Sequence, residues 1–499
     1  MDVNRRQLLT GAGAVGIAAV AAPSLRASGN AAPPVTTPAA PTPAGAGVLL
    51  SLFANPTFNG QISFCLGGAS SGTAEIGEVM ATVDQINAVT GDPDEPDTTA
   101  ADFETLVQAF VDLGDRLERL ARRSGRSDEV SYRQRMMRAS SYAAQALFFV
   151  LGGTEPQNEA DYFRICQERW LKAARRFPRP VRTFHVSSPY GEIPCYFFPS
   201  PHGSGRRPTL IVSSGSDGQL VECMGFGVVD GLERGYNVVL FEGPGQMSLL
   251  FEKHETFTPD WDQVIGPIVE ALRRRRDVGR IGLVGVSFAG MLCARAAANL
   301  DLDATVLMPA AWNATLLWGD QTDMNTVKQT HDLPKAQKAQ ARRELNAGFA
   351  EAWPHLSRTT QFGVYKRGEI YDAQVMRQGR RGVPVSDYYQ MLENILPFVY
   401  EHDLRRIRRP VMLTRNQGDQ FFNGGQGHPP TPTTGKWDQP RYAFSLLDRV
   451  AKRDKWFVNF TASQGASLHD QPLAPQFANE VMFGWLRRRM SGDRRHGPG

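Results

Sequence analysis

The chain has 499 residues, 41% of them hydrophobic, and its 55 basic and 51 acidic side chains leave a formal net charge of +4. That length suits one large α/β domain with an added helical piece, and so balanced a charge gives no reason to expect nucleic acid as a partner. Five cysteines (Cys65, Cys166, Cys195, Cys223 and Cys293) follow no C-x-x-C or metal-ligand spacing, which predicts mostly buried free thiols, leaves one disulfide open, and implies no metal.

In chain order, residues 1–32 read as a targeting segment. Asn4-Arg5-Arg6-Gln7-Leu8-Leu9-Thr10 resembles a twin-arginine signal, and a weakly apolar stretch and small residues suited to cleavage follow it. A general secretory signal that happens to carry two arginines is the alternative. The apolar run is too short for a stable membrane span, and the expected location is periplasmic or extracellular. Residues 33–55 form a linker, Pro/Ala/Thr-rich through 46.

Residues 56–180 read as helical. Asp102 to Arg123 carries Phe103, Leu106, Phe110, Leu113 and Leu117 at helical spacing, with Thr98 or Thr99 as N-cap. Two further amphipathic helices are predicted over 132–151 and 159–177. At 181 the period changes to that of a β-hairpin turning near Pro189-Tyr190-Gly191. Strands are then predicted at 208–213, 236–241, 281–285, 303–308, 410–415 and 455–460, most of them separated by helices. This alternation predicts a doubly wound, mostly parallel sheet. The gap of about 100 residues between Met308 and Pro410 exceeds any ordinary loop, so 312–400 is read as a helical lid insertion between core halves at 181–311 and 401–490. The tail 491–499 is expected to be disordered.

Gly285-Val286-Ser287-Phe288-Ala289 is one residue short of G-x-S-x-G. A short β-leaning run precedes it and an alanine-rich helical run follows, which is the context of a strained strand–turn–helix elbow that exposes a nucleophilic hydroxyl. An ordinary serine in a small-residue turn is the competing reading. A serine nucleophile needs a base and an orienting acid. Asp419 lies in the loop after the 410–415 strand and His469 in the loop after the 455–460 strand, in the chain order this architecture uses. Alone, Asp419 could be a solvated turn residue and His469 a loop histidine. The oxyanion hole would come from the backbone N–H groups of Phe288 and Ser216, the latter in the turn Ser214-Gly215-Ser216-Asp217-Gly218. "FEGPGQ" (241–246) is given a structural role.

Ser214-Gly215-Ser216-Asp217 with Glu222, "FEGPGQ", "GVSFAG", "QGDQFF", "QGASLHDQPLAP" and the stretches "RASSYAAQALFF" and "ADYFRICQERWLKAA" together resemble the α/β-hydrolases grouped with FrsA, the fungal Ayg proteins and 2,6-dihydroxypseudooxynicotine hydrolase. The similarity covers roughly residues 100–490. It implies a triad of Ser287, His469 and Asp419, a helical cap over the site, no cofactor, and cleavage of esters or of C–C bonds beside a ketone. Ala289 stands where the family has glycine, Ser214 replaces the first glycine of the oxyanion turn, and Gln417-Gly418-Asp419 replaces a common Glu-Gly-Glu. The expected function is an exported serine hydrolase acting on a small hydrophobic or aromatic carbonyl substrate through an acyl-enzyme. No nucleic acid and no stable membrane anchor are expected, and a homodimer is left open. A peptidase or amidase of prolyl-oligopeptidase type and a non-catalytic binding protein on the same scaffold are the alternatives.

Overall fold

The computed structural model describes residues 50–92, 97–203, 205–318, 321–419, 421–422 and 438–490. The expected signal segment, most of the linker and the tail at 491–499 lie outside the described residues.

Among the described residues five α-helices precede the sheet: α1 (Asn59–Gly67), α2 (Ile76–Asn87), α3 (Ala100–Ser124), α4 (Glu129–Phe149) and α5 (Glu159–Ala174). Thr99 starts α3 through a capping box with Asp102, which satisfies two otherwise orphaned N–H groups. Its apolar stripe, Phe103 to Leu117, is buried. The cap begins earlier than the expected boundary at 55. Phe53 is 3% exposed, its ring 5.7 Å from that of Phe58, and the Leu52 and Phe53 amides donate to Asn59 Oδ1. The buried Phe53 ring and these hydrogen bonds hold the end of the linker against the cap.

The hairpin is β1 (Arg182–Ser188) and β2 (Gly191–Phe198). The six strands expected after it are present as β3 (Arg207–Ser213), β4 (Asn237–Phe241), β5 (Val278–Val286), β6 (Ala304–Met308), β7 (Val411–Asn416) and β8 (Lys455–Phe460). They form one eight-stranded sheet in the order β1-β2-β4-β3-β5-β6-β7-β8. β1 and β2 pair antiparallel with each other and β2 with β4, and β3 to β8 pair in parallel. Every residue of β4 and β6 is buried, as strands covered on both faces require. Of the helices between these strands, α6 (Val228–Glu233) packs on β4, α8 (Trp261–Arg273) on β1 and β5, and α9 (Ala289–Asn299) on β5 and β6, while α7 (Met247–Phe251) packs on α5.

The long connection after β6 holds a five-helix lid: α10 (Gln321–Thr330), α11 (Lys335–Ala352), α12 (Arg358–Gly368), α13 (Ala373–Gly379) and α14 (Tyr388–Glu393). Between 386 and 399 the chain is α-helical only over α14. α15 (Glu401–Arg406), α16 (Gln439–Ser445) and α17 (Pro475–Met490) complete the core.

Lid and cap interlock. Phe362 of α12 packs 4.9 Å from Phe103 and stacks 6.0 Å from Phe149. Arg358 donates to the carbonyls of Gly152 and Gly153, each at 2.8 Å, just beyond the end of α4. Lys366 of α12 and Glu369, just after its end, meet Glu159 of α5, which is itself bound by Arg380. All five cysteines are free and buried, and no helix of the described residues is long and apolar enough to cross a membrane.

Candidate functional site

β5 ends at Val286 and α9 begins at Ala289, leaving Ser287 in the turn at φ 55°, a left-handed conformation costly for a residue with a Cβ. The flanking small residues have a steric cause. A Cβ on Gly285 would lie 2.2 Å from the Ala289 carbonyl oxygen, and one on Gly290 would lie 2.0 Å from that of Pro309. Position 289 itself accommodates the alanine methyl, fully buried. Glycine is therefore required at 285 and 290 and not at 289.

Ser287 Oγ lies 2.9 Å from His469 Nε2, and His469 Nδ1 lies 2.9 Å from Asp419 Oδ2. Asp419 Oδ1 accepts the Phe421 and Phe422 amides at 2.8 and 2.9 Å, which turns Oδ2 toward the imidazole. With the carboxylate as acceptor, Nδ1 carries the proton and Nε2 faces the serine. The two loops are stitched together: Asn416 Nδ2 donates to the carbonyls of Ala466 and Leu468, and the Gly418 amide donates to Ser467. The rings of Phe421 and Phe422 pack edge-on to His469 at 4.9 and 5.0 Å. Burial pulls the imidazole down, but Asp419 and Asp470 outweigh it and raise His469 to about 9.

The turn after β3 presses on the elbow, since a Cβ on Gly215 would lie 2.5 Å from Ser287 Cβ. Gln246 holds this turn from below, its Nε2 donating to the carbonyls of Ser214 and Gly215. Phe288 and Ser216 both line the cavity that contains Ser287. Above them, Arg367 of α12 donates to Ser216 Oγ at 3.3 Å and pairs with Asp217.

The cavity measures about 160 Å³ and is walled by all three parts of the molecule. The cap contributes Gln61, Phe64, Phe148 and Phe149, so α1 and the end of α4 do the covering, while α3 and the body of α5 stay outside. The lid contributes Trp318, Arg367, Ile370 and Tyr371. Of the aromatics Trp312, Trp318, Tyr365 and Tyr388 in or beside the lid, Trp318 reaches the cavity and the other three are buried in the core. Two acids stand out in the wall. Burial pushes Glu222 up to about 7, and burial together with Asp419 pushes Asp470 up to about 7. Among the described residues no group of three or more His, Cys, Asp or Glu side chains could hold a metal ion.

Sequence reasoning passed over Asp470, Arg367, Tyr371 and the reach of Gln246. "FEGPGQ" carried a signal for the last. Asp470 adjoins His469 but has no spacing of its own, and Arg367 and Tyr371 are brought in by the lid fold alone.

No family model matches the chain. It is 30% identical over 454 residues, 87% of its own length and 96% of the relative's, to a Pyricularia oryzae protein named Hydrolase ORFZ. An Aspergillus fumigatus protein named Alpha/beta hydrolase psoB is 28% identical over 273 residues, 51% of this chain and 58% of that one. Among solved structures the chain is similar to 2,6-dihydroxy-pseudo-oxynicotine hydrolase, with a TM-score of 0.59 at 15% identity over 87% of this chain and 98% of that one. It is also similar to AbyA5, with a TM-score of 0.50 at 17% identity over 83% and 91% of the two chains. At these identities the structural likeness is one of fold.

Proposed function

The chain belongs to the α/β-hydrolase family, and from that premise we propose that it is a serine hydrolase with Ser287 as nucleophile, His469 as base and Asp419 as the acid that orients it. The observation that carries this reading is the unbroken hydrogen-bonded run Ser287–His469–Asp419, with the serine on a strained elbow inside a covered cavity. Ser287 Oγ attacks the substrate carbonyl as Nε2 takes its proton. The tetrahedral oxyanion is met by the N–H groups of Phe288 and Ser216, and Asp419 stabilises the imidazolium. In an ester the leaving alkoxide takes the proton back from Nε2. In a C–C substrate the leaving group is a carbanion, which needs an adjacent carbonyl or aromatic ring to accept its charge. Water then repeats the sequence on the acyl-enzyme.

The apolar wall favours a small hydrophobic or aromatic carbonyl compound. Export through a twin-arginine route is part of the proposal and rests on Arg5-Arg6 and the residues around them. Changing both to lysine should strand the precursor in the cytoplasm, and continued export would point to the general secretory route.

A fluorophosphonate probe tests the nucleophile. The wild-type protein should be labelled at Ser287 and Ser287→Ala should not. Full labelling of the variant would move the nucleophile elsewhere. A panel of short esters and β-diketones then tells the two leaving groups apart.

A further inference from the structure

Asp470 follows His469 directly, and the mechanism above does not use it. Its side chain is buried, 4% exposed, in the wall of the same cavity. Its backbone is left-handed at φ 58°, and Gln471 after it is left-handed at 51°. Two consecutive residues with side chains in this region are strained, which marks a place where the surrounding fold imposes the conformation. Here the carboxyl comes back onto the imidazole. Oδ2 lies 3.5 Å from Nε2, the nitrogen that meets Ser287 Oγ at 2.9 Å. Oδ1 is buried with no hydrogen-bond partner among the described residues. A carboxyl that merely oriented the ring would stand at Nδ1, where Asp419 already stands. The Nε2 side is where the reacting atoms are.

We propose that Asp470 is a second acid of this centre, which protonates a carbon leaving group and recovers its proton from His469. The inference rests on the serine-hydrolase reading. As Oγ bonds to the carbonyl carbon, its proton passes to Nε2. The tetrahedral intermediate collapses, the C–C bond breaks and its electron pair goes to the departing carbon. The Asp470 carboxyl proton passes to that carbon, leaving a carboxylate. The proton on Nε2 then crosses to this carboxylate, so both groups return to neutral. The neutral imidazole takes a proton from water as its oxygen attacks the acyl carbon, and returns it to Oγ as the product acid departs. An ester needs none of this, because an alkoxide takes the Nε2 proton directly.

The other carboxyls of the site are committed elsewhere. Asp217 is paired with Arg367, and against burial the charges of Arg367 and Lys366 with hydrogen bonds from Arg367 and Ser216 hold it below the usual carboxylate range. Asp419 accepts from His469 and two amides. Burial, Asp419 and Asp217 raise Asp470 against the pull of His469, to about 7. Burial and Arg367 lower His469 while Asp419 and Asp470 raise it, to about 9. The pair therefore holds two protons below about 7, one between, and none above about 9. In the one-proton state the proton sits mainly on Nε2, and the minor tautomer of that same state, a neutral Nε2 beside a protonated Asp470, is the productive one.

The test compares pH–rate profiles of wild type on an aryl β-diketone and on a p-nitrophenyl ester. Diketone turnover should be bell-shaped between about 7 and about 9, while ester turnover should rise to a plateau above about 9. Profiles of the same shape on both substrates, or ester turnover with no diketone cleavage, overturn the proposal without any variant. Asp470→Asn should lower diketone turnover at least about 10²-fold and ester turnover less than about tenfold, and its ester profile should shift to lower pH. Equal losses on both substrates reduce Asp470 to a structural residue. A wild-type protein that neither labels at Ser287 nor cleaves any ester sinks the serine-hydrolase reading itself, a distinct result.

Discussion

Gly215 stands against Ser287 so closely that a Cβ added to it would lie 2.5 Å from the serine Cβ and 3.0 Å from its Oγ. The turn proposed to supply half of the oxyanion hole is thus seated directly on the proposed nucleophile, and neither side can yield without moving the other. Gly215→Ala should leave the protein folded and lower kcat by about 10²–10³, the scale of a lost oxyanion donor. Gly218→Ala in the same turn meets the Ser214 hydroxyl at 2.7 Å, a group that can rotate, and should cost far less. Ester turnover of the two variants checks this, and equal losses would place the oxyanion donor away from Gly215.

Asp419 uses its two oxygens differently, and that determines what an amide would do. Oδ1 holds the loop through two backbone amides and Oδ2 faces the imidazole. An asparagine can keep the first set, so Asp419→Asn should fold normally. Its NH₂ would then face Nδ1 and favour the wrong tautomer, lowering kcat about 10²–10⁴-fold. Unchanged turnover, with the variant's melting temperature as control, would move the acid to another residue.

How far the site can be read from the sequence depends on what kind of contact makes it. Ser287, Asp419 and His469 each follow the carboxyl end of a parallel strand, and the strands announce themselves through short apolar runs such as 236–241 and 303–308. Once the strands are assigned, the three loops have nowhere else to go. The lid is different. α12 buries Phe362, Val364, Tyr365 and Lys366 alike, so it has no polar face for periodicity to find. Arg367 and Tyr371 reach the cavity through that packing. Likewise Phe64 and Gln61 lie about 220 residues before the serine in the chain and meet its cavity only because the cap folds back.

The buried junction between cap and lid predicts a stability effect. Lys366 is 3% exposed and bonds Glu369 at 2.8 Å, and Glu369 and Glu159 are fully buried. Burial and the neighbouring Glu159 hold Glu369 well above the usual carboxylate range, so the two carboxyls share their burden with Lys366 and Arg380. Lys366→Met removes one cation from this group and should destabilise the fold by roughly 3–5 kcal/mol, as for other broken buried pairs. The double variant Lys366→Met/Glu369→Leu should recover much of that loss. Denaturant unfolding reads both, and a single variant within about 1 kcal/mol of wild type would mean that water already reaches the junction.

The last prediction concerns what can enter. A cavity of about 160 Å³ walled by α1, the end of α4, Trp318 and Tyr371 is overhung by two separate parts of the chain. Those parts are locked to each other by the Phe103–Phe149–Phe362 cluster and by Arg358 on the carbonyls of Gly152 and Gly153. Opening the site to a large substrate would mean breaking that aromatic packing, since lifting the lid alone leaves the cap in place. Short p-nitrophenyl esters or a small aryl diketone should therefore be cleaved, while casein and polymeric esters should not. Activity should also fall as the acyl chain outgrows the cavity, first through KM, because the loss is one of fit and the reacting atoms are unchanged. Loosening the lock should relax the limit: Phe362→Ala should extend the range to longer acyl chains and lower the melting temperature, since a large core aromatic replaced by alanine costs about 3–5 kcal/mol. The size series on both proteins is the measurement. Efficient hydrolysis of a folded protein by the wild type would show an open cleft and end the covered-site account.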